Sequence, residues 1–177
     1  EKSKVSNYSK LTEAEAAYAG IAAAIEDVEK KISAIGTVDR NSGEKIIAAR
    51  KAYDALPASS KRHVINYPVL EAAESSLSRL EKVVALIGDI GEVTADSEAA
   101  IKIARGMYDA LSESEKSKVS NYSKLTEAEA AYAGITAAID AVEKKISAIG
   151  TVDRNSGEKI AAARKAYDAL PASSKEH

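Results

Sequence analysis

Apolar side chains return along this chain at alternating steps of three and four. Leu11, Ala14, Tyr18, Ile21, Ile25, Val28, Ile32 and Ile35 make one unbroken run of such steps, which gathers them into a single stripe down one face of an α-helix. A heptad stripe of this kind packs on its partners at a shallow, left-handed angle. Gly36 follows at once, and glycine closes a helix in the left-handed C-cap conformation without a Cβ penalty. The run recurs as Leu125, Ala128, Tyr132, Ile135, Ile139, Val142, Ile146 and Ile149 before Gly150. It recurs in altered form as Leu70, Ala73, Leu77, Leu80, Val84, Ile87 and Ile90 before Gly91. The spacing predicts three long helices, the first and last roughly 40 Å in length.

Two shorter helices are expected between the long ones. Over residues 42–56, Ile46, Ala49, Tyr53 and Leu56 again step by three, four and three. Ser42 is placed to cap this helix and Pro57 to stop it. Over residues 59–66 a shorter helix is expected, with Ser59 or Ser60 as its cap and Val64 and Ile65 as its apolar contact. The polar GTVDRNS stretch that precedes residue 43 is expected to be a loop. Val38, and Val93 and Val152 at the matching places, are expected to plug into the junctions there.

The pattern is a repeat, and a repeat must be recognised before any fold is assigned. Residues 1–61 recur at 115–175. Only four pairs differ: Ala22/Thr136, Glu26/Asp140, Asp27/Ala141 and Ile47/Ala161. Residues 62–114 are a divergent copy that keeps Asn66-Tyr67, Ile90-Gly91, Arg105 and Tyr108 to Leu111 as landmarks. Its long helix is four residues shorter between Tyr67 and Ile90 than the others between the matching residues. Four residues turn a helix by about 400°, so the apolar stripe moves by only about 40°. The expected fold is all-α: tandem three-helix-bundle repeats of spectrin-like kind forming an elongated array. Its parts would be a partial repeat over 1–36, full repeats over 37–91 and 92–150, and a partial repeat over 151–177. The chain starts and stops inside the same segment, which reads as a piece of a longer array.

Composition narrows what such an array could do. There is no Phe, Trp or Cys and only one Met among 177 residues, so the core must be built from Ala, Ile, Leu, Val and Tyr. The lack of cysteine removes disulfides, thiolate metal sites and cysteine nucleophiles together. The net charge is −2, with Lys and Arg scattered among Glu and Asp. A nucleic-acid face must neutralise several phosphates at once, so no nucleic-acid partner is expected. No apolar run nears the roughly 18 residues that span a bilayer, so no membrane insertion is expected. The opening EKSKVSNYSK carries no signal peptide, although a mature secreted fragment would look the same.

Candidate chemistry is sparse. Asp39, Asn41 and Glu44 faintly resemble a calcium loop, but an EF-hand needs Gly at position 6 and a bidentate Glu at position 12. Here Gly43 is at position 5 and Arg50 at position 12, so a capping turn is the expected reading. His63 and His177 are not repeated in the other copies; His63 is expected at the surface, and His177, the last residue, reads as tag-derived. Glu13 and Glu15, like Glu127 and Glu129, sit two apart on a helix and face different ways, which suits solvated charge better than an acid–base pair. Tyr18, Tyr53, Tyr108, Tyr132 and Tyr167 fall on apolar stripes and are expected in cores. Tyr8, Tyr67 and Tyr122 mark the entry to the long helices and are expected to cap or bridge junctions. Arg50, Arg105 and Arg164 stand four residues before Asp54, Asp109 and Asp168. Two readings stay open for them, a weak intrahelical pair or a bridge to a neighbouring helix that sets register. No catalytic, cofactor-binding or metal-binding residue is expected.

The joined signature runs I-x-x-I-G-x-V, S-x-x-x-I-x-x-A-R-x-x-Y-D-A-L and K-x-x-V-x-N-Y-x-x-L-x-x-A-E. It is carried here by Ile32, Ile35, Gly36, Val38, Ser42, Ile46, Ala49, Arg50, Tyr53 to Leu56, Lys61, Val64, Asn66, Tyr67, Leu70, Ala73 and Glu74. Through it the chain resembles helical tandem repeats of large secreted or cell-wall-associated proteins of Gram-positive bacteria, along essentially its whole length. The resemblance implies an extracellular, cell-surface or cell-wall location and a spacer or accessory role, and it brings no functional residues with it. A stalk is the first expectation. An adhesin-type module for a host protein or wall glycan is the second, and a non-catalytic accessory region of an extracellular glycan-active enzyme is the third. The expected partners are neighbouring repeats of the same protein. Head-to-tail self-association is possible if the unmatched stripes Leu11 to Ile35 and Ile160 to Leu170 join between molecules. If each long helix instead packs on the short helix that follows it, the chain closes on itself.

Overall fold

The computed structural model describes residues 7–175, and its regular structure is entirely helical. The opening EKSKVS and His177 lie outside the described residues. Eight α-helices succeed one another: α1 (Tyr8–Ser33), α2 (Gly43–Ala55), α3 (Ala58–Lys61), α4 (Tyr67–Gly88), α5 (Glu98–Asp109), α6 (Glu113–Lys116), α7 (Tyr122–Ser147) and α8 (Gly157–Asp168). Single 3-10 turns stand at Ala95–Ser97 and Ala172–Ser174. The chain forms two compact units that divide between Glu81 and Lys82, inside α4.

The long helices form where the heptads predict. Lys30 and Lys31 in the last turn of α1, and Lys144 and Lys145 in that of α7, complement the negative end of the helix dipole. Lys30 and Lys31 also pair one turn back with Glu26 and Asp27. Gly36, Gly91 and Gly150 then take φ of 65°, 64° and 62°, the left-handed conformation that releases the chain from a helix. α1 and α7 are 26 residues long and α4 is 22, so the four-residue deletion removes about one turn and leaves the helix intact.

The first unit has one core. Val28 and Ile32 from the second half of α1 and Ile35 just beyond it meet Ile46 and Ala49 of α2, Leu56 just beyond that helix, Val64 after α3, and Leu70 and Ala73 at the start of α4. Ile25, Val38, Ala52, Tyr53, Tyr67 and Leu77 pack around them. Each fully buried aliphatic side chain contributes about 1.5–3 kcal/mol, and this core is made almost wholly of such residues. Asn66 ties the turn before α4 to α1: its Nδ2 donates to the Glu29 carbonyl (2.9 Å) and to Ser33 Oγ (3.2 Å). The Ile65 backbone N–H donates to Glu29 Oε1 (3.0 Å).

The second unit buries the equivalent residues, each 55 positions later. Val83 and Ile87 come from the last turns of α4, Ile101 and Ala104 from α5, Leu111 and Val119 from around α6, and Leu125 and Ala128 from α7. Asn121 Nδ2 donates to the Val84 carbonyl at 2.9 Å, as Asn66 does to α1. The second half of α7 then packs on α8, with Val142, Ala163 and Leu170 buried between them. One long helix thus serves two partners: α7 touches α5 with its first half and α8 with its second. The two packing alternatives posed by the sequence are not exclusive, because each half of the stripe has its own neighbour.

Several expectations are corrected. The helix expected over residues 59–66 is a single turn, Ala58–Lys61. The chain then winds on through i→i+3 bonds from His63 to Ser60 and from Val64 to Lys61, which sends Val64 inward and leaves Ile65 exposed. Val83, not Val84, occupies the buried stripe of α4, because beyond the four-residue deletion the middle copy runs 55 places after the first, which puts Val83 at the position of Val28. Tyr18 and Leu11 are exposed because the first half of α1 has no helix packed on its stripe among the described residues, and Ile21 is partly open at the edge of the hollow it shares with Ala52 and Ala55 of α2. Val38 packs on the first core, but Val152 is exposed, so it plugs nothing.

Candidate functional site

Four side chains that recur in every copy, an arginine, two tyrosines and a glutamate, converge on one polar cluster, built twice. In the first unit, Arg50 projects from α2 toward α4. Its Nε donates to Glu74 Oε1 at 2.7 Å and its Nη2 to Glu74 Oε2 at 2.6 Å, the two-pronged geometry that suits a guanidinium and a carboxylate. Its Nη1 donates to the Tyr67 hydroxyl at 3.4 Å. The guanidinium also lies 5.5 Å and 5.4 Å from the ring centres of Tyr53 and Tyr67, within cation–π range. Those two rings stack at 4.2 Å with 19° between their planes. Lys61 Nζ lies 5.1 Å from the ring centre of Tyr53.

The second unit reproduces this cluster. Arg105 reaches Glu129 through two bonds of 2.6 Å and the Tyr122 hydroxyl at 3.5 Å, and Tyr108 stacks on Tyr122 at 4.3 Å and 20°. The aspartate one turn on from each arginine is a weaker partner, at 3.8 Å for Asp54 and 3.5 Å for Asp109. Of the two readings left open, the interhelical bridge is therefore the dominant contact. Glu129 is not simply a solvated charge, and Glu74 and Glu129 went unrecognised as arginine partners. A signal was present. Glu15, Glu74 and Glu129 each stand seven residues after the entry tyrosine, whereas Glu13 and Glu127 are replaced by Ala72 in the middle copy.

The third arginine sits in different surroundings. Arg164 keeps Asp168 at 3.9 Å and lies over Tyr167 at 5.5 Å. Its side chain is 71% exposed, against 29% for Arg50 and 28% for Arg105. Beside it runs an open groove of about 430 Å³ lined by Ile146, Ile149, Ile160, Ala163, Arg164 and Tyr167. The Tyr167 hydroxyl donates to the Lys175 carbonyl at 3.0 Å.

The electrostatics follow from the geometry. Hydrogen bonding from Arg50 holds the Glu74 carboxyl below its ordinary value, and Arg105 does the same to Glu129. Both guanidiniums are pushed up in turn, chiefly by their glutamate partners, and stay charged throughout. Burial, then the neighbouring tyrosine, raises the phenols of Tyr53 and Tyr108. A depressed carboxylate pKa stabilises the fold fully above the unfolded value of about 4.3, and that stabilisation is lost as pH falls through the lower folded value. The raised phenols act at the other end: their share is full below about pH 10 and is lost as pH rises through the folded values. Urea unfolding at fixed pH is expected to show a plateau around neutrality and a fall below about pH 4. E74Q with E129Q should flatten the acid limb, and an unchanged limb would show that these carboxylates do not carry it.

The remaining candidates resolve into local structure. The Asp39 backbone N–H donates to Ser42 Oγ (2.9 Å), Ser42 Oγ donates to Asp39 Oδ1 (3.1 Å), and the Asn41 N–H donates to Asp39 Oδ1 (2.8 Å). Asp39 is therefore the capping side chain, and Ser42 answers it from one turn on, instead of capping α2 itself. Asp153 and Ser156 repeat this at 2.9 and 3.0 Å, and Thr94 and Ser97 form the middle version. Such a reciprocal box satisfies donors at both of its ends. His63 is exposed and accepts from Arg62 Nε at 3.3 Å. Glu15 is exposed. Among the described residues, no three of His, Cys, Asp and Glu are grouped as metal ligands would be, and no helix is long and apolar enough to cross a membrane. What the recurring cluster does chemically is clasp α2 to α4 and α5 to α7. Comparison with protein-family models, with curated proteins and with solved structures gave no match to this chain.

Proposed function

We propose that this chain is a non-catalytic spacer: three-helix units repeated in tandem, spectrin-like, that serve as a stalk in a secreted or cell-surface multidomain protein of a Gram-positive bacterium. One observation carries the reading. Polar and aromatic residues that recur from copy to copy, Arg50/Arg105, Tyr53/Tyr108, Tyr67/Tyr122 and Glu74/Glu129, are consumed in holding one helix to the next. A sequence that preserves its internal clasps and core from copy to copy is preserving a packing unit, and stacked packing units set length. The location rests on the resemblance of the signature and on nothing else.

An adhesin would instead preserve an exposed patch in each copy. The exposed apolar residues do not recur in that way: Ile65 matches Ser120, Val69 matches Lys124, and Ile47 matches Lys102 and Ala161. Small-angle scattering extrapolated to infinite dilution tests the stalk. A compact chain of this length has a radius of gyration of about 16 Å. The spacer reading requires a clearly larger value and a maximum dimension that grows by a constant step with each added copy. A value near 16 Å refutes it.

A further inference from the structure

We propose that the groove between the second half of α7 and α8 receives the first half of α1 from a second copy of this chain, closed by an ion pair between Arg164 and Glu15 of the incoming copy. The inference stands on its own geometry and does not depend on the spacer reading.

The groove is the same acceptor that α1 and α2 present to α4. Residues 135–175 differ from residues 21–61 at only four positions, and in the first unit all four (Ala22, Glu26, Asp27 and Ile47) are exposed, away from the buried contact. Where α4 is seated, Ile32 is 0% and Ile46 4% exposed. Their counterparts in the groove, Ile146 and Ile160, are 49% and 43% exposed. Two isoleucines thus stand in water at positions where the same local sequence elsewhere buries them, and α4 supplies the cover in that case through Leu70, Ala73 and Glu74.

The donor is present as well. Residues 8–21 are identical to residues 122–135, the first half of α7, which docks on α5. Leu11 is 53% exposed, whereas Leu70 and Leu125 at the same position are both 0% exposed. Glu15 has no ion pair among the described residues, whereas Glu74 and Glu129 each hold an arginine in two bonds. Seating α1 of one copy in the groove of another restores each contact in kind: Leu11 covers Ile146 and Ile160, Glu15 takes Arg164, and Tyr8 stacks on Tyr167 as Tyr67 does on Tyr53. Donor and acceptor are different surfaces, so the contact is head to tail, and it extends into chains or closes into rings according to its rotation.

Sedimentation across a wide concentration range tests this on the chain of 177 residues. The weight-average mass is expected to rise above the 18.6 kDa of one chain. E15K and R164E should each weaken association by about tenfold or more. Mixing the two variants should restore it, because each mixed contact again pairs opposite charges. Both side chains are solvent-exposed in the single chain, so unchanged circular dichroism is expected and serves as the control on folding. A chain that stays monomeric at every concentration overturns the proposal. So does association that persists undiminished in E15K and R164E, which would place the contact on another face.

Discussion

Replacing Leu70 with alanine is expected to lower the unfolding free energy by about 3 kcal/mol, while the same change at Leu11 costs no more than about 0.5 kcal/mol. The two leucines sit at the same position of the same heptad, three residues after an entry tyrosine. Only their neighbours differ. Leu70 is enclosed by α1 and α2, with Val28, Ile32, Ile46 and Ala49 in the same core, so truncation removes transfer free energy and leaves a void that the surrounding aliphatics fill only in part. Leu125 occupies the matching place in the second unit and should behave as Leu70 does. Urea unfolding of the three alanine variants in dilute solution, where each molecule is alone, makes the comparison. A cost for Leu11→Ala equal to that for Leu70→Ala would show that the first half of α1 is covered within the single chain, against the structure described here.

The second large effect is expected at the clasp. Arg50→Ala should destabilise by about 2 kcal/mol, between the value for an exposed ion pair and that for breaking a fully buried one, because both side chains are about a third exposed. Three contacts go together: the paired bonds to Glu74, the bond to the Tyr67 hydroxyl, and the guanidinium over the two stacked rings. Arg50→Lys should recover little, since an ammonium cannot grip both carboxylate oxygens at once. Arg164→Ala is the internal control and should change stability by less than about 0.5 kcal/mol. A double-mutant cycle between Arg50 and Glu74 should yield a coupling of about 1 kcal/mol or more. Coupling near zero would mean that the bridge is replaced by water at no cost.

The long helices were readable because their apolar steps run for seven turns and end on a glycine that alone tolerates positive φ. α2, α5 and α8 were readable for the same reason over a shorter span. The segment around α3 was not, because one turn is too short for any period to register, and Val64 turns inward through a tight turn, not through helical phase. The choice between Val83 and Val84 depended on where the four-residue deletion falls: counted from Tyr67, Val84 matches Ile25, and counted back from Ile90, Val83 matches Val28. The uncovered first half of α1 was also illegible: Leu11, Tyr18 and Ile21 carry the same stripe whether or not a helix lies over them. The Arg50–Glu74 bridge joins residues 24 apart, beyond any local periodicity. Its trace in the sequence was the acidic residue kept seven places after each entry tyrosine while the acids around it changed.

In the second unit, α7 is held at both ends by different neighbours, α5 on one side and α8 on the other. Opening of α8 exposes Val142 and stops there, because Leu125 and Ala128 remain enclosed. The backbone amides at the middle of α7 are then shielded through either partial opening, and the solvent reaches them only when both seats are lost together. Each such shared helix is a splice, and damage at one end of the unit is arrested halfway along it.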